Sequence, residues 1–159
     1  LQERVTVQMG TLGKALGCFG AFVAGRRNLI DYLANEARSF VFTTALPPAI
    51  VAAARAAVAI AAREDGRRER LAANAARLHA GLLRLGFAVP HCSHILPVMI
   101  GDPAATMALC GRLLDRGVFA QGIRPPTVPP GTSRLRVTLM ATHTDADIDA
   151  ALAAFAAAG

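Results

Sequence analysis

A mixed α/β chain in two parts, with helices packed on sheet, is predicted by three observations. Short apolar runs of strand type alternate with longer stretches whose apolar residues recur at helical spacing, and glycine or proline marks most of the junctions between them. The 159 residues are 53% hydrophobic and 18% charged, enough to close a core without disulfide or metal staples. Alanine contributes 34 residues, aromatic residues are 5% and tryptophan is absent, so that core is expected to be aliphatic.

Each element follows from local chemistry. Val5 to Gln8 alternates like the end of a strand, Gly10 to Gly20 is a loop carrying four glycines, and Phe19 to Ala24, bounded by Gly25, reads as a buried strand. Lys14 thus lies on a strand-to-strand loop. Arg26 to Arg38 reads as a helix with Leu29, Ile30, Leu33 and Ala37 on one face. Pro47 and Pro48 suit a first helical turn, where a missing N–H is no loss, and the alanine-rich stretch to Glu64 has high helix propensity. Asp65-Gly66 is a break, after which Arg67 to Leu85 carries Leu71, Leu78, Leu82 and Leu85 and stops at Gly86. The domain boundary is placed within this helical pair, giving residues 1–64 and 65–159.

Beyond it, Ile95 to Ile100 is a strand and Pro103 to Arg116 a helix with Asp102 before it and Gly117 after it. Val118 to Gly122 and Leu135 to Leu139 are further strands, and Asp145 to Ala158 is the last helix. That order describes an α/β or α+β sandwich with helices on one sheet. Between its second and third strands runs the proline-stiffened loop Arg124 to Gly131.

Composition also excludes. The longest apolar run, Ala45 to Ala62, is interrupted by Pro47, Pro48 and Arg55, so no membrane span is expected. The net charge is +6, but Arg63, Arg67, Arg68, Arg70, Arg77 and Arg84 follow one helical stretch with few aromatics to stack on bases, which reads as a solvated face and not a nucleic-acid groove. Cys18, Cys92 and Cys110 are odd in number and widely spaced, which argues against disulfides and zinc and fits a reducing cytoplasm. No secretory or transit peptide is read at the start.

Sixteen of the 17 basic residues are arginine, and the single lysine, Lys14, stands in Gly10-Thr11-Leu12-Gly13-Lys14-Ala15-Leu16-Gly17. A chain that meets its other needs for positive charge with guanidinium but keeps one amine here points to amine chemistry. The segment is not a phosphate loop, since Gly10 and Gly13 are three apart and Ala15 comes directly after the lysine, and it is not a dinucleotide fingerprint. An amine that forms a Schiff base needs partial deprotonation, which burial beside a strand favours, and room for a flat ring, which glycines leave. The plainer alternative is an exposed lysine on a glycine-rich turn.

Met9 to Gly20 resembles the cofactor-lysine segment of the pyridoxal-phosphate-dependent α-oxoamine synthases. Phe40-Val41-Phe42-Thr43-Thr44-Ala45-Leu46-Pro47-Pro48 resembles a second segment of that family. Ile123-Arg124-Pro125-Pro126-Thr127-Val128-Pro129 resembles its C-terminal substrate loop, and Arg134-Leu135-Arg136-Val137-Thr138-Leu139 and Ala141-Thr142-His143-Thr144 come after it in the same order. The resemblance implies fold type I of the pyridoxal-phosphate-dependent transferases, with residues 1–64 closing the large cofactor domain and 65–159 forming the small C-terminal domain. It implies pyridoxal 5'-phosphate as cofactor, held covalently by Lys14, which would also move the α-proton. Thr11 would bind the cofactor phosphate, and Thr43 and Thr44 would reach the phosphate of the partner subunit's cofactor in a homodimer. Arg124 would take the amino acid carboxylate in a two-pronged contact, with Thr127 beside the substrate. Within the family, the Arg124 to Pro129 loop is most similar to the branch that condenses L-alanine with a pimeloyl thioester. Sister enzymes taking glycine or serine, and a non-catalytic fragment, remain the alternatives. The family's stacking histidine, pyridinium-pairing aspartate and phosphate loop would lie upstream of Leu1, and His79, His91, His94 and His143 match none of them.

The remaining polar residues take structural readings. His94 is a loop residue, His143 helps to cap the last helix, the cysteines are small core hydrophobes, and Asp145, Asp147 and Asp149 favour a helix N-terminus without forming a metal site.

Overall fold

The computed structural model describes residues 4–159, so residues 1–3 of the first predicted domain lie outside the described residues. The chain divides into two compact units, Leu1–Asp65 and Gly66–Gly159.

The first unit opens with a hairpin. Strand β1 (Val7–Thr11) pairs antiparallel with β2 (Ala21–Gly25), Val7 opposite Gly25 and Thr11 opposite Ala21. Both strands begin about two residues later than the apolar pattern suggests, because the pairing, and not hydrophobicity, sets their ends. Close contacts keep two glycines: a Cβ on Gly10 would stand 2.5 Å from the Phe22 ring, and one on Gly25 would stand 3.0 Å from the Thr6 carbonyl. Helix α1 (Arg27–Glu36) stops two residues before the expected Arg38, and a separate turn, α2 (Arg38–Val41), comes next. Helix α3 (Pro48–Arg63) begins on proline as expected. Strand β2, read from the sequence as buried, is exposed along its length.

The second unit is the α+β form of the predicted sandwich. Helix α4 (Asp65–Arg84) starts at Asp65, so the predicted break reduces to Glu64 and does not reach Gly66. At its end the Phe87 amide donates to the Leu82 carbonyl and the Gly86 amide to Leu83, with Gly86 at φ +86°. This is the left-handed termination that glycine favours. Three antiparallel strands, β3 (Ile95–Gly101), β4 (Gln121–Ile123) and β5 (Ser133–Thr138), lie in the order β3-β5-β4. Helices α5 (Pro103–Leu114) and α6 (Asp145–Ala158) complete the unit.

The core is aliphatic, as composition implied. Leu96, Val98, Leu135 and Val137 of the sheet meet Ala75, Leu78 and Leu82 of α4, Leu109 and Leu113 of α5, and Ile148, Phe155 and Ala158 of α6. Phe155 is fully buried, its ring edge-on to Phe87 at 5.3 Å, a burial worth about 1.5–3 kcal/mol. Along β5 the residues alternate: Ser133, Leu135 and Val137 are buried, while Arg136 and Thr138 are exposed and Arg134 half-buried. Among the described residues no helix is long and apolar enough to cross a membrane.

Candidate active site

Lys14 stands on a loop closed at its neck. The Leu12 amide donates to the Gly20 carbonyl at 2.9 Å and the Cys18 amide to the Leu12 carbonyl at 2.8 Å. Inside this neck the Gly17 amide donates to the Lys14 carbonyl at 2.9 Å, so Lys14 opens a tight turn completed by Gly17 at φ +62°. Gly20 takes φ +105°, a conformation that L side chains rarely adopt. Leu12 is the anchor, its side chain buried under the loop. The Gly13 amide donates to Thr11 Oγ1 at 3.3 Å, which leaves the Thr11 hydroxyl proton free to be donated elsewhere. Lys14 itself is exposed, against the expectation of burial beside a strand, because the turn carries it away from β1 and β2.

The segment after α2 meets the loop's neck. Leu46 Cδ1 lies 3.0 Å from where a Cβ on Gly20 would stand, which places Leu46 against the neck of the lysine loop. Thr43 Oγ1 donates to the Ser39 carbonyl at 2.6 Å, so its proton is already used to close the short helix. Thr44 makes no such bond among the described residues and keeps its hydroxyl proton.

Arg124 and Thr127 belong to the second unit. They frame a turn after β4 in which the Thr127 amide donates to the Arg124 carbonyl at 3.1 Å across a cis Pro125-Pro126 bond. The loop closes on itself further along: Thr132 Oγ1 donates to the Pro129 carbonyl at 2.7 Å and Arg134 Nε to the Thr132 carbonyl at 2.9 Å. Both Arg124 and Thr127 are exposed.

Arg136, to which the sequence motifs alone assign no role, stands out in the structure. With Phe119, Gln121 and Thr138 it lines an open cavity of about 180 Å³ on the helix-free face of the sheet. The alternation Ser133-Arg134-Leu135-Arg136-Val137-Thr138 is the signal that finds it, since it sends every second residue away from the core.

Other groups prove structural. Thr144 Oγ1 accepts from the Asp147 amide while Asp147 Oδ2 accepts from the Thr144 amide at 2.7 Å, a capping box. These Thr144 donors hold the Asp147 carboxyl below the ordinary 3.8. Asp145 and Asp149 each pair with Arg77 of α4 at 2.6 Å. His143 Nδ1 accepts from the Met140 amide in the turn before the cap, and the cap itself is Thr144. His94 is a loop residue whose carbonyl accepts from the Leu139 amide. Cys110 is half-buried, whereas Cys92 is exposed and is no core residue, because its loop lies outside the packed face. Among the described residues no group of three or more His, Cys, Asp or Glu is placed to hold a metal ion.

A family model described as aminotransferase class I and II matches residues 1–155. The chain belongs to the aminotransferase class I and II family. Among curated members, 8-amino-7-oxononanoate synthase of Anaeromyxobacter dehalogenans (strain 2CP-C) is 56% identical over 98% of this chain and 40% of its own length. A solved structure of serine palmitoyltransferase with PLP internal aldimine superposes with a TM-score of 0.92 at 35% identity, covering 98% of this chain and 40% of that one. The 8-amino-7-oxononanoate synthase of Francisella tularensis gives 0.81 at 25% identity, over 96% and 45%. The chain thus spans about 40% of the length of the curated relatives it matches. Its fold is that of the fold-type I transferases in this family, as the three sequence motifs implied.

Proposed function

We propose that the chain is the C-terminal part of a cytoplasmic, homodimeric pyridoxal-phosphate-dependent acyltransferase. Its reaction joins L-alanine to a pimeloyl thioester, releasing carbon dioxide and the thiol carrier and leaving 8-amino-7-oxononanoate for biotin synthesis. The observation that carries this reading is the 56% identity with the Anaeromyxobacter synthase across nearly the whole chain. On it, residues 1–64 end the large cofactor domain and 65–159 form the small one.

The lysine loop fits the cofactor. It offers the chain's one side-chain primary amine on a turn tied at its neck, open space where a Cβ on Gly17 would stand, and a free hydroxyl proton on Thr11. Pyridoxal phosphate, when bound, supplies an aldehyde for the amine and an electron sink for the amino acid's α-carbon. Lys14 Nζ would hold the cofactor and, when free, would take and return the amino acid's α-proton. Thr11 would donate to a phosphate oxygen. Thr44, with its hydroxyl proton uncommitted, is the better placed of the threonine pair to donate to the phosphate in the partner subunit, and Thr43 steadies the segment through Ser39. Arg124 presents a planar fork to the amino acid carboxylate, with Thr127 beside the substrate, and Arg136 offers a second guanidinium at the cavity on the open sheet face.

Serine palmitoyltransferase supplies the second reading, because its backbone superposes more closely than that of the Francisella synthase. Identity weighs the other way, 56% against 35%, and side chains, not backbone, select the substrate. The experiment places this chain in the matching segment of the Anaeromyxobacter synthase and loads the chimera with pyridoxal phosphate. A visible absorbance band that shifts with L-alanine, and thiol release from pimeloyl-CoA, are expected. Turnover only with L-serine and palmitoyl-CoA moves the assignment to the second reading, and no cofactor band overturns both.

A further inference from the structure

Arg124 is steadied by a contact from outside its own loop. Its Nη1 lies 3.6 Å from Sδ of Met107, on α5. The same sulfur lies 2.7 Å from where a Cβ on Gly122 would stand, so Met107 crosses the bare backbone of β4 and meets the guanidinium two residues further along the chain. Gly122 is buried, and its backbone is not in the left-handed region that favours glycine. What keeps a side chain out is therefore the space the thioether fills, the next nearest atom being the Thr106 methyl at an ordinary 3.6 Å.

The platform beneath is tied by hydrogen bonds. Asp102 caps α5 by accepting from the Ala105 amide at 2.7 Å, and the fully buried Thr106 donates from Oγ1 to the Asp102 carbonyl at 2.7 Å. One turn further, Cys110 Sγ donates to the Ala120 carbonyl at 2.9 Å and fixes the approach to β4. Residues 106, 107 and 110 thus form one stripe of α5 that seats β4 and the residue leaving it.

We propose that Met107 is a positioning residue that aims Arg124 at the amino acid carboxylate; this rests on the reading of Arg124 given above. An exposed arginine loses rotamer freedom when it binds, and a partner that holds one rotamer beforehand removes part of that loss. A thioether suits the task because it is a weak acceptor that engages one donor and leaves the remaining guanidinium N–H groups for the substrate. A carboxylate in its place would compete with the substrate.

The test uses the chimera with pyridoxal phosphate, L-alanine and pimeloyl-CoA. Met107→Leu keeps bulk and removes the acceptor, so KM for L-alanine is expected to rise about three- to tenfold with kcat and Tm unchanged. Met107→Gln restores an acceptor at similar reach and is expected to return KM toward wild type. Gly122→Ala displaces the sulfur from the other side and is expected to reproduce the rise, with the double variant Gly122→Ala/Met107→Leu no worse than either alone. Unchanged KM in both single variants, while Arg124→Ala raises it, overturns the inference and leaves the function standing. A rise that tracks a fall in Tm and that glutamine does not rescue also overturns it. Unchanged KM in Arg124→Ala overturns the reading of Arg124, and this inference with it.

Discussion

Lys14 is the only amine side chain in a sequence otherwise supplied with arginine, and the loop around it is held by its own backbone, so its side chain is replaceable without disturbing the turn. Lys14→Ala in the chimera is expected to abolish the visible band of bound pyridoxal phosphate and any borohydride-reducible link; a surviving reducible link would refute the assignment. Two glycines make the complementary point about packing. A Cβ on Gly81 of α4 would clash with Leu152 Cδ2, whereas one on Gly111 of α5 meets nothing within 4 Å. Gly81→Ala is expected to lower stability by about 1–3 kcal/mol, and Gly111→Ala to raise it by about 0.5–1 kcal/mol. Thermal or urea unfolding of the pair reads both, and equal signs would contradict this packing of α4 against α6. Single residues were legible where chemistry singled them out, as with the lone lysine. Arg136 was harder to single out because only the alternation of its strand shows that it points outward.

At the scale of elements, helix ends were readable where a capping residue fixes them, because that determinant is local. Asp102, Gly86, Gly117 and the Asp145 start all act within a few residues of themselves. Strand ends were less readable because they depend on a distant partner. Val118 to Ala120 looks as apolar as any strand, yet the ladder begins only at Gln121, where β5 offers Arg136 opposite, and ends with Ile123 opposite Arg134. The capping box of α6 lends itself to a pH test. Because the Asp147 carboxyl is held below its ordinary value, it contributes stability that is present above that value and is lost as pH falls through the folded-state value. The Tm gap between wild type and Asp147→Asn is therefore expected to be full at neutral pH and to close as the pH is taken below 3.8; a gap unchanged into acid would remove the carboxylate from the cap. Thr144→Ala, which breaks the reciprocal bond, is expected to cost about 1 kcal/mol.

On the scale of the molecule the two units differ in kind. Among the described residues every buried hydrophobic except Leu12 lies in the second unit, while the first displays Met9, Phe19, Phe22, Tyr32, Phe40 and Phe42 on its surface. Residues 66–159 expressed alone are expected to unfold in one cooperative thermal transition. Residues 1–65 alone are expected to bind an apolar dye and to self-associate, and a monodisperse, dye-free first unit would show that its surface needs no cover. Composition gave fair warning of the aliphatic core but not of this asymmetry, because hydrophobic content does not say where the covering surface comes from. The central strand β5 carries one more consequence. It is bonded on both sides, to β3 and β4, and its side chains alternate between the core and the open face. Losing or gaining one residue within Ser133–Thr138 would turn Arg134 and Arg136 into the aliphatic interior and Leu135 and Val137 out of it, whereas the loop from Pro129 to Thr132 sits at no such phase-locked position. Tolerated variation in length is thus expected in the loop and not in the strand, because the reading phase of β5 decides which of its side chains enter the core.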